Sequence, residues 1–116
     1  MRVVYQEDLQ QSIADALQFI SHQHPPDFVR ALRRAHAAET HAPAKAAIEQ
    51  LLINSRLAAI SHRPICQDTG VAQLFLRAGV GVRFAQRDGA APTGLQAVVD
   101  AAVRAAQRDS VIAHGL

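Results

Sequence analysis

Four polar side chains of different chemistry follow a proline in the segment RPICQDTG, residues 63–70. They are a thiol, an amide, a carboxylate and a hydroxyl, carried by Cys66, Gln67, Asp68 and Thr69. Pro64 restricts the backbone before them, and Gly70 permits a sharp turn after them. Reactive groups often lie on such loops, because a rigid scaffold presents them at a surface or cleft. The simpler alternative is a polar turn around a buried thiol, since a lone cysteine usually behaves as a small buried hydrophobe.

Metal binding and nucleophilic attack are the two reactive roles open to the Cys66 thiolate. As a ligand it suits zinc, copper(I) or an iron–sulfur cluster, and one thiolate holds none of these alone. His62 precedes it by four residues, but a single His and Cys form only a weak zinc pattern. A cysteine nucleophile needs an activating histidine and an oxyanion site, and the sequence locates neither. The other histidines near predicted helix ends are expected to be solvated: His22, His24, His36 and His41.

Three helices are predicted before this segment. The first begins at Asp8 and ends near residues 22–24, because Pro25 and Pro26 cannot continue it. The second begins at the second of these prolines or at the next residue. The third has Pro43 in its first turn and ends before the RPICQDTG segment. Its predicted buried face consists of Ala44, Ala47, Ile48, Leu51, Leu52, Ser55, Ala58 and Ala59.

Short strands and a final helix are predicted after Gly70. Residues 71–77 and 80–85 are bounded by glycines, which predicts two strands that turn at residues 78–79. Thr93 and Gln96 have the spacing of a capping box for the last helix. The apolar stripe of that helix comprises Leu95, Val98, Val99, Ala102, Val103 and Ala106. A short β-prone stretch follows at residues 110–112.

Length and composition favour a folded, mainly helical protein with a small β element, an α+β arrangement. The chain has 116 residues, of which 49% are hydrophobic and 19% charged, so we expect a single domain over residues 1–116. The net charge is only +2, and the cluster Arg30, Arg33 and Arg34 is expected to be a solvated helix face. We therefore expect no nucleic-acid partner.

The number of cysteines and the hydropathy of the chain indicate the cellular compartment in which we expect the protein. One cysteine excludes an internal disulfide, which fits a reducing compartment. Polar residues interrupt every apolar run near the N-terminus, and no run is long enough to span a membrane. We expect a cytoplasmic protein with no membrane partner.

The segment RPICQDTG resembles the signature of the iron–sulfur-dependent hydro-lyases, which include class I fumarate hydratase and the tartrate dehydratase α-subunit. The preceding stretches EDLQQSIADALQFIS, HPPDFVRALRRAHAAET and AKAAIEQLLINSRLAAISH resemble the N-terminal part of the same family in order and spacing. The resemblance covers about residues 7 to 104. It implies that Cys66 is one of three thiolates that hold a [4Fe–4S] cluster whose fourth iron is open to substrate.

The resemblance also implies a substrate site. Gln67 and Asp68 would contact a small dicarboxylate or its proton, and Asp68 would act either as an acid/base or as an orienting group. In that family a substrate arginine follows the helix that here is predicted over residues 95–107. Arg108 is its nearest counterpart, and the alternative is an ordinary arginine at a helix terminus.

The resemblance implies that further polypeptide must supply the two other cysteine ligands of the cluster. In that family the other two cysteines lie well beyond residue 116, so we expect the chain to be an N-terminal segment of the hydro-lyase α region. The rest of the enzyme or a partner subunit would complete it, in a homo- or hetero-oligomer, and the segment alone would be inactive. The favoured reaction is the reversible hydration of fumarate to malate. The alternatives are tartrate dehydration and, in another class, a non-catalytic helical accessory domain.

Overall fold

A computed structural model of the chain describes residues 1–66 and 71–113, without the side chains of residues 109–113. The elements in order are β1 (Arg2–Tyr5), α1 (Gln6–His22), α2 (Pro26–Ala38), α3 (Ala42–Ser61), β2 (Val82–Ala85) and α4 (Leu95–Ala113). The fold is therefore mainly α with a small β element, as the sequence predicts. Within the described ranges, no helix combines the length and apolar character that crossing a membrane requires.

The chain divides into two compact units, and the boundary falls within α1. Unit 1 comprises Met1–Gln18 and Thr69–Leu116, and unit 2 comprises Phe19–Asp68. Unit 1 therefore contains the sheet and α4, and unit 2 contains α2 and α3. The single domain expected over residues 1–116 stays a prediction.

The sheet of unit 1 differs from the predicted hairpin. β2 pairs in parallel with β1, with Arg2 opposite Val82 and Tyr5 opposite Ala85. Residues 71–79, all of which the structure describes, are exposed and form no strand. The predicted second strand is confirmed as β2. The predicted first strand over residues 71–77 and the turn at residues 78–79 were wrong, because β2 pairs instead with the N-terminal strand β1. The RVVY sequence of β1 has the β-branched and aromatic residues that favour a strand, but it was not recognised.

Gln6 fixes the segment before α4, in place of the predicted capping box. Its side chain is buried, and its Nε2 donates to the carbonyl of Thr93 (2.7 Å). Its Oε1 accepts from the backbone N–H (2.9 Å) and the hydroxyl (3.2 Å) of Thr93. The Gln96 amide donates instead to Asp100 (2.8 Å). The prediction of a capping box was wrong, because the Thr93 hydroxyl donates a hydrogen bond to the buried side chain of Gln6.

The core of unit 1 is built from small residues of α1 and α4. Ala14, Ala102 and Ala106 are buried together, and the partly buried Ile13, Leu17 and Ala105 pack around them. Small side chains at a contact let two helices approach closely. The predicted stripe of α4 is confirmed, because each of its members is buried or half-buried. The β-prone residues 110–112 continue this helix, so the strand tendency is overridden there.

A charged cluster ties the start of α1 to the turn after β2. The guanidinium of Arg87 contacts both oxygens of Asp8 (2.7 Å each), and the Arg87 backbone N–H donates to Glu7 (2.9 Å). The hydrogen bond and the negative charge of Asp8 raise the pKa of the Arg87 guanidinium. Both carboxylates lie in the first turn of α1, where the helix dipole favours negative charge.

In unit 2, α2 packs against α3. Both helices have a proline in the first turn, and their starts at Pro26 and Ala42 match the sequence predictions. Of the predicted buried face of α3, Ser55 and Ala58 are buried, whereas Leu51 is 53% exposed. That face was assigned too broadly, because α2 covers only one side of α3.

Candidate functional site

The end of α3 directs the chain toward Cys66. His62 has left-handed backbone angles (φ 53°, ψ 35°), and its N–H donates to the carbonyl of Ala58. The N–H of Arg63 donates to the same carbonyl (3.2 Å). A left-handed residue at this position ends a helix while it satisfies the last carbonyls, and glycine usually fills it. The helix therefore ends with a sharp change of direction just before the RPICQDTG segment.

Two hydrogen bonds hold the backbone immediately before Cys66. The N–H of Ile65 donates to the carbonyl of Ser21 near the end of α1 (2.9 Å). The carbonyl of Ile65 accepts from Nδ2 of Asn54 on α3 (2.8 Å). These two hydrogen bonds of Ile65, here called the Ile65 anchor, join the residue to both helices. The backbone that leads into Cys66 is thus held from two sides.

The Cys66 side chain is exposed at the end of this anchored segment. The alternative of a buried thiol is therefore wrong, because the anchor holds the preceding residue and leaves the cysteine at the surface. The chemistry of an exposed thiol fits one ligand position of an iron–sulfur cluster. Within the ranges that the structure describes, no three His, Cys, Asp or Glu side chains are grouped to hold a metal ion. The predicted site residues Gln67 and Asp68, with Thr69 and Gly70, lie outside the described residues.

The histidines beside the anchor are packed more closely than expected. His22 is buried, and its ring lies against that of His62, with centroids 4.8 Å apart. Its Nδ1 has no hydrogen-bond partner in the part of the chain that the structure describes. The expectation of a solvated His22 was wrong, because the turn at His62 brings a second imidazole over it. The His62 ring is thus packed against an aromatic neighbour.

Arg108 is exposed and lies within α4, in unit 1. Its predicted position after the last helix was wrong, because α4 continues to Ala113. The alternative of a helix-terminal arginine also loses support, since charge effects of the dipole fall off within the last turn and that turn has no basic residue. Cys66 belongs to unit 2, so these two predicted site residues lie in different units.

The residues described above lie within a match to a known protein family. A family model described as Fumarate hydratase (Fumerase) matches residues 10–116. The chain belongs to this family. The match spans the anchored segment, Cys66 and α4, so the resemblance of the sequence to class I fumarate hydratase is confirmed. Family membership supports a fumarate hydratase-like hydro-lyase. Searches of curated proteins and of solved structures find no match.

The sequence analysis missed the residues that position Cys66. Asn54 and Ser21 form the Ile65 anchor, and neither was named as a site residue. The available signal was the asparagine in the apolar stretch LLINSRLAAI of a helix. Asparagine is a poor helix former, so its presence there indicates a specific hydrogen bond.

Proposed function

We propose that this chain contributes Cys66 to a [4Fe–4S] cluster in a hydro-lyase that reversibly hydrates fumarate to malate. Membership of the fumarate hydratase family supports the reaction class. The observation that carries the role of Cys66 is its exposed thiol at the end of the anchored segment. A ligand on a fixed backbone loses little conformational freedom when it binds metal, which favours a defined cluster geometry.

The remaining ligands come, in this proposal, from outside these 116 residues. The chain has one cysteine, and a cluster with an open iron needs three thiolates, so two must be supplied by further polypeptide. When bound, such a cluster supplies a Lewis acid that polarises a substrate carboxylate and the hydroxyl that is added or lost. The active species would then be an oligomer or a longer chain.

Other residues of this chain would bind the substrate and transfer the proton. Gln67 would hydrogen-bond the substrate through its amide, which both donates and accepts. Asp68 would move a proton at the carbon next to the hydroxyl, or orient the substrate. Arg108 stays a prediction as a carboxylate contact: it is exposed on α4 and forms no ion pair with any described residue. An arginine binds a carboxylate in a bidentate fork.

The test measures fumarate hydration by the protein isolated anaerobically from its native cells with any accompanying polypeptide. Cys66→Ser should abolish hydration, whereas Ser61→Ala, five residues earlier at the end of α3, should leave it intact. Retained hydration in the cysteine variant would overturn the assigned role of Cys66. Turnover of tartrate in place of fumarate would support the tartrate dehydratase alternative. An iron-free protein with no turnover of either acid would support an accessory domain.

A further inference from the structure

Unit 2 contains a cleft between α2 and α3. Its volume is ≈ 430 Å³, within the range of known small-molecule sites. Val29 and Arg33 line it from α2, and Leu52 and Arg56 line it from α3. Each pair is separated by four residues, so each presents one apolar and one cationic side chain on the same helix face.

One end of the cleft is polar and held in place. Ser55 is 8% exposed, and its Oγ shares a hydrogen bond with Nδ1 of His24 (3.0 Å). The His24 ring also packs against Phe28, with centroids 4.7 Å apart. Both Ser55 and His24 line the cleft. This part of the wall is therefore preorganised, which lowers the entropic cost of binding a ligand.

The charges that line the cleft are not neutralised by neighbours. Arg33, Arg56 and Glu49 line it, and none forms a salt bridge or side-chain hydrogen bond with a described residue. Two guanidinium groups against one carboxylate leave a single positive charge when His24 is neutral. A monoanion complements that charge. One guanidinium group recognises a carboxylate through two parallel hydrogen bonds, so a carboxylate is the anionic head that suits a cleft lined by arginines.

We propose that this cleft binds a small organic monoanion with one carboxylate head and a short apolar body. The head contacts Arg33 and Arg56, and the body lies on Val29, Leu52 and their apolar neighbours. Glu49 disfavours a second negative charge on the ligand. The site goes beyond the proposed hydration of fumarate, because it includes neither Cys66 nor the residues after it.

The test is an NMR titration of the full ¹⁵N-labelled chain with sodium butyrate, sodium succinate and inorganic phosphate. Butyrate should give saturable shifts at the amides of Val29, Leu52 and Ala59, and should bind more tightly than succinate or phosphate. Arg33→Gln and Arg56→Gln should each weaken butyrate binding by about tenfold, the loss of one charge-assisted contact. Arg34→Gln removes the same charge from the same helix outside the cleft, and it should leave the affinity unchanged.

Three results would overturn the proposal. The first is the absence of saturable shifts in the cleft. The second is an equal loss of affinity in the Arg33 and Arg34 variants, which would indicate general charge attraction. The third is tighter binding of phosphate than of butyrate, because the apolar wall would then contribute nothing. Far-ultraviolet circular dichroism of each variant distinguishes lost binding from lost structure. None of these results bears on the cluster, so either proposal can fail without the other.

Discussion

The Ile65 anchor gives the sharpest prediction about how Cys66 is positioned. Asn54→Ala removes the side-chain donor to the Ile65 carbonyl but leaves the bond from the Ile65 N–H to Ser21. The lost bond is 2.8 Å long and exposed. A neutral hydrogen bond contributes about 0.5–1.5 kcal/mol, which corresponds to about a 2- to 12-fold change in a local opening equilibrium. The segment before Cys66 should therefore open more often.

Hydrogen exchange of the Ile65 amide measures this opening directly, because that N–H is protected only while it remains bonded to Ser21. The protection factor of Ile65 should fall by about 2- to 12-fold in Asn54→Ala. The matched control is Ser61→Ala, which removes a hydroxyl bond to the Leu57 carbonyl (2.6 Å) at the same end of α3. Unchanged protection in the Asn54 variant, or an equal fall in the Ser61 variant, would refute the anchor.

Further substitutions test the surrounding fold. Gln6→Ala leaves both backbone groups of Thr93 without their partner, so urea denaturation should show a loss of about 1–3 kcal/mol; an unchanged midpoint would contradict the buried network. At the left-handed residue 62, glycine should be more stable than alanine by about 1 kcal/mol, the reverse of their order inside a helix. Equal stability of His62→Gly and His62→Ala would count against the left-handed turn. Asp8→Asn removes an exposed ion pair with Arg87, so its effect on the melting temperature should be smaller than that of Gln6→Ala and should vanish in high salt.

Local signals in the sequence predicted the helices well. Prolines at positions 25 and 26 stop α1 and begin α2, and Pro43 begins α3, because proline restricts its own backbone and that of the preceding residue. The family of the chain was also predictable, since RPICQDTG and the helices before it carry a specific pattern.

Contacts between distant parts of the sequence were not predicted. The pairing of β1 with β2 and the bonds of Gln6 to Thr93 each join residues about 80 or more positions apart. A four-residue strand next to a helix has too little periodicity to show its partner. The Ile65 anchor was missed for a related reason, because its bond to Ser21 uses a backbone carbonyl that any residue could supply.

The most direct test of the central proposal is the iron and acid-labile sulfide content of the anaerobically isolated protein. Wild-type protein, together with any accompanying polypeptide, should contain about four iron and four sulfide per cluster, and Cys66→Ser should lose most of both. Ser61→Ala should retain the wild-type content. Equal iron and sulfide in the wild type and the Cys66→Ser variant would contradict the assignment of Cys66 as a cluster ligand.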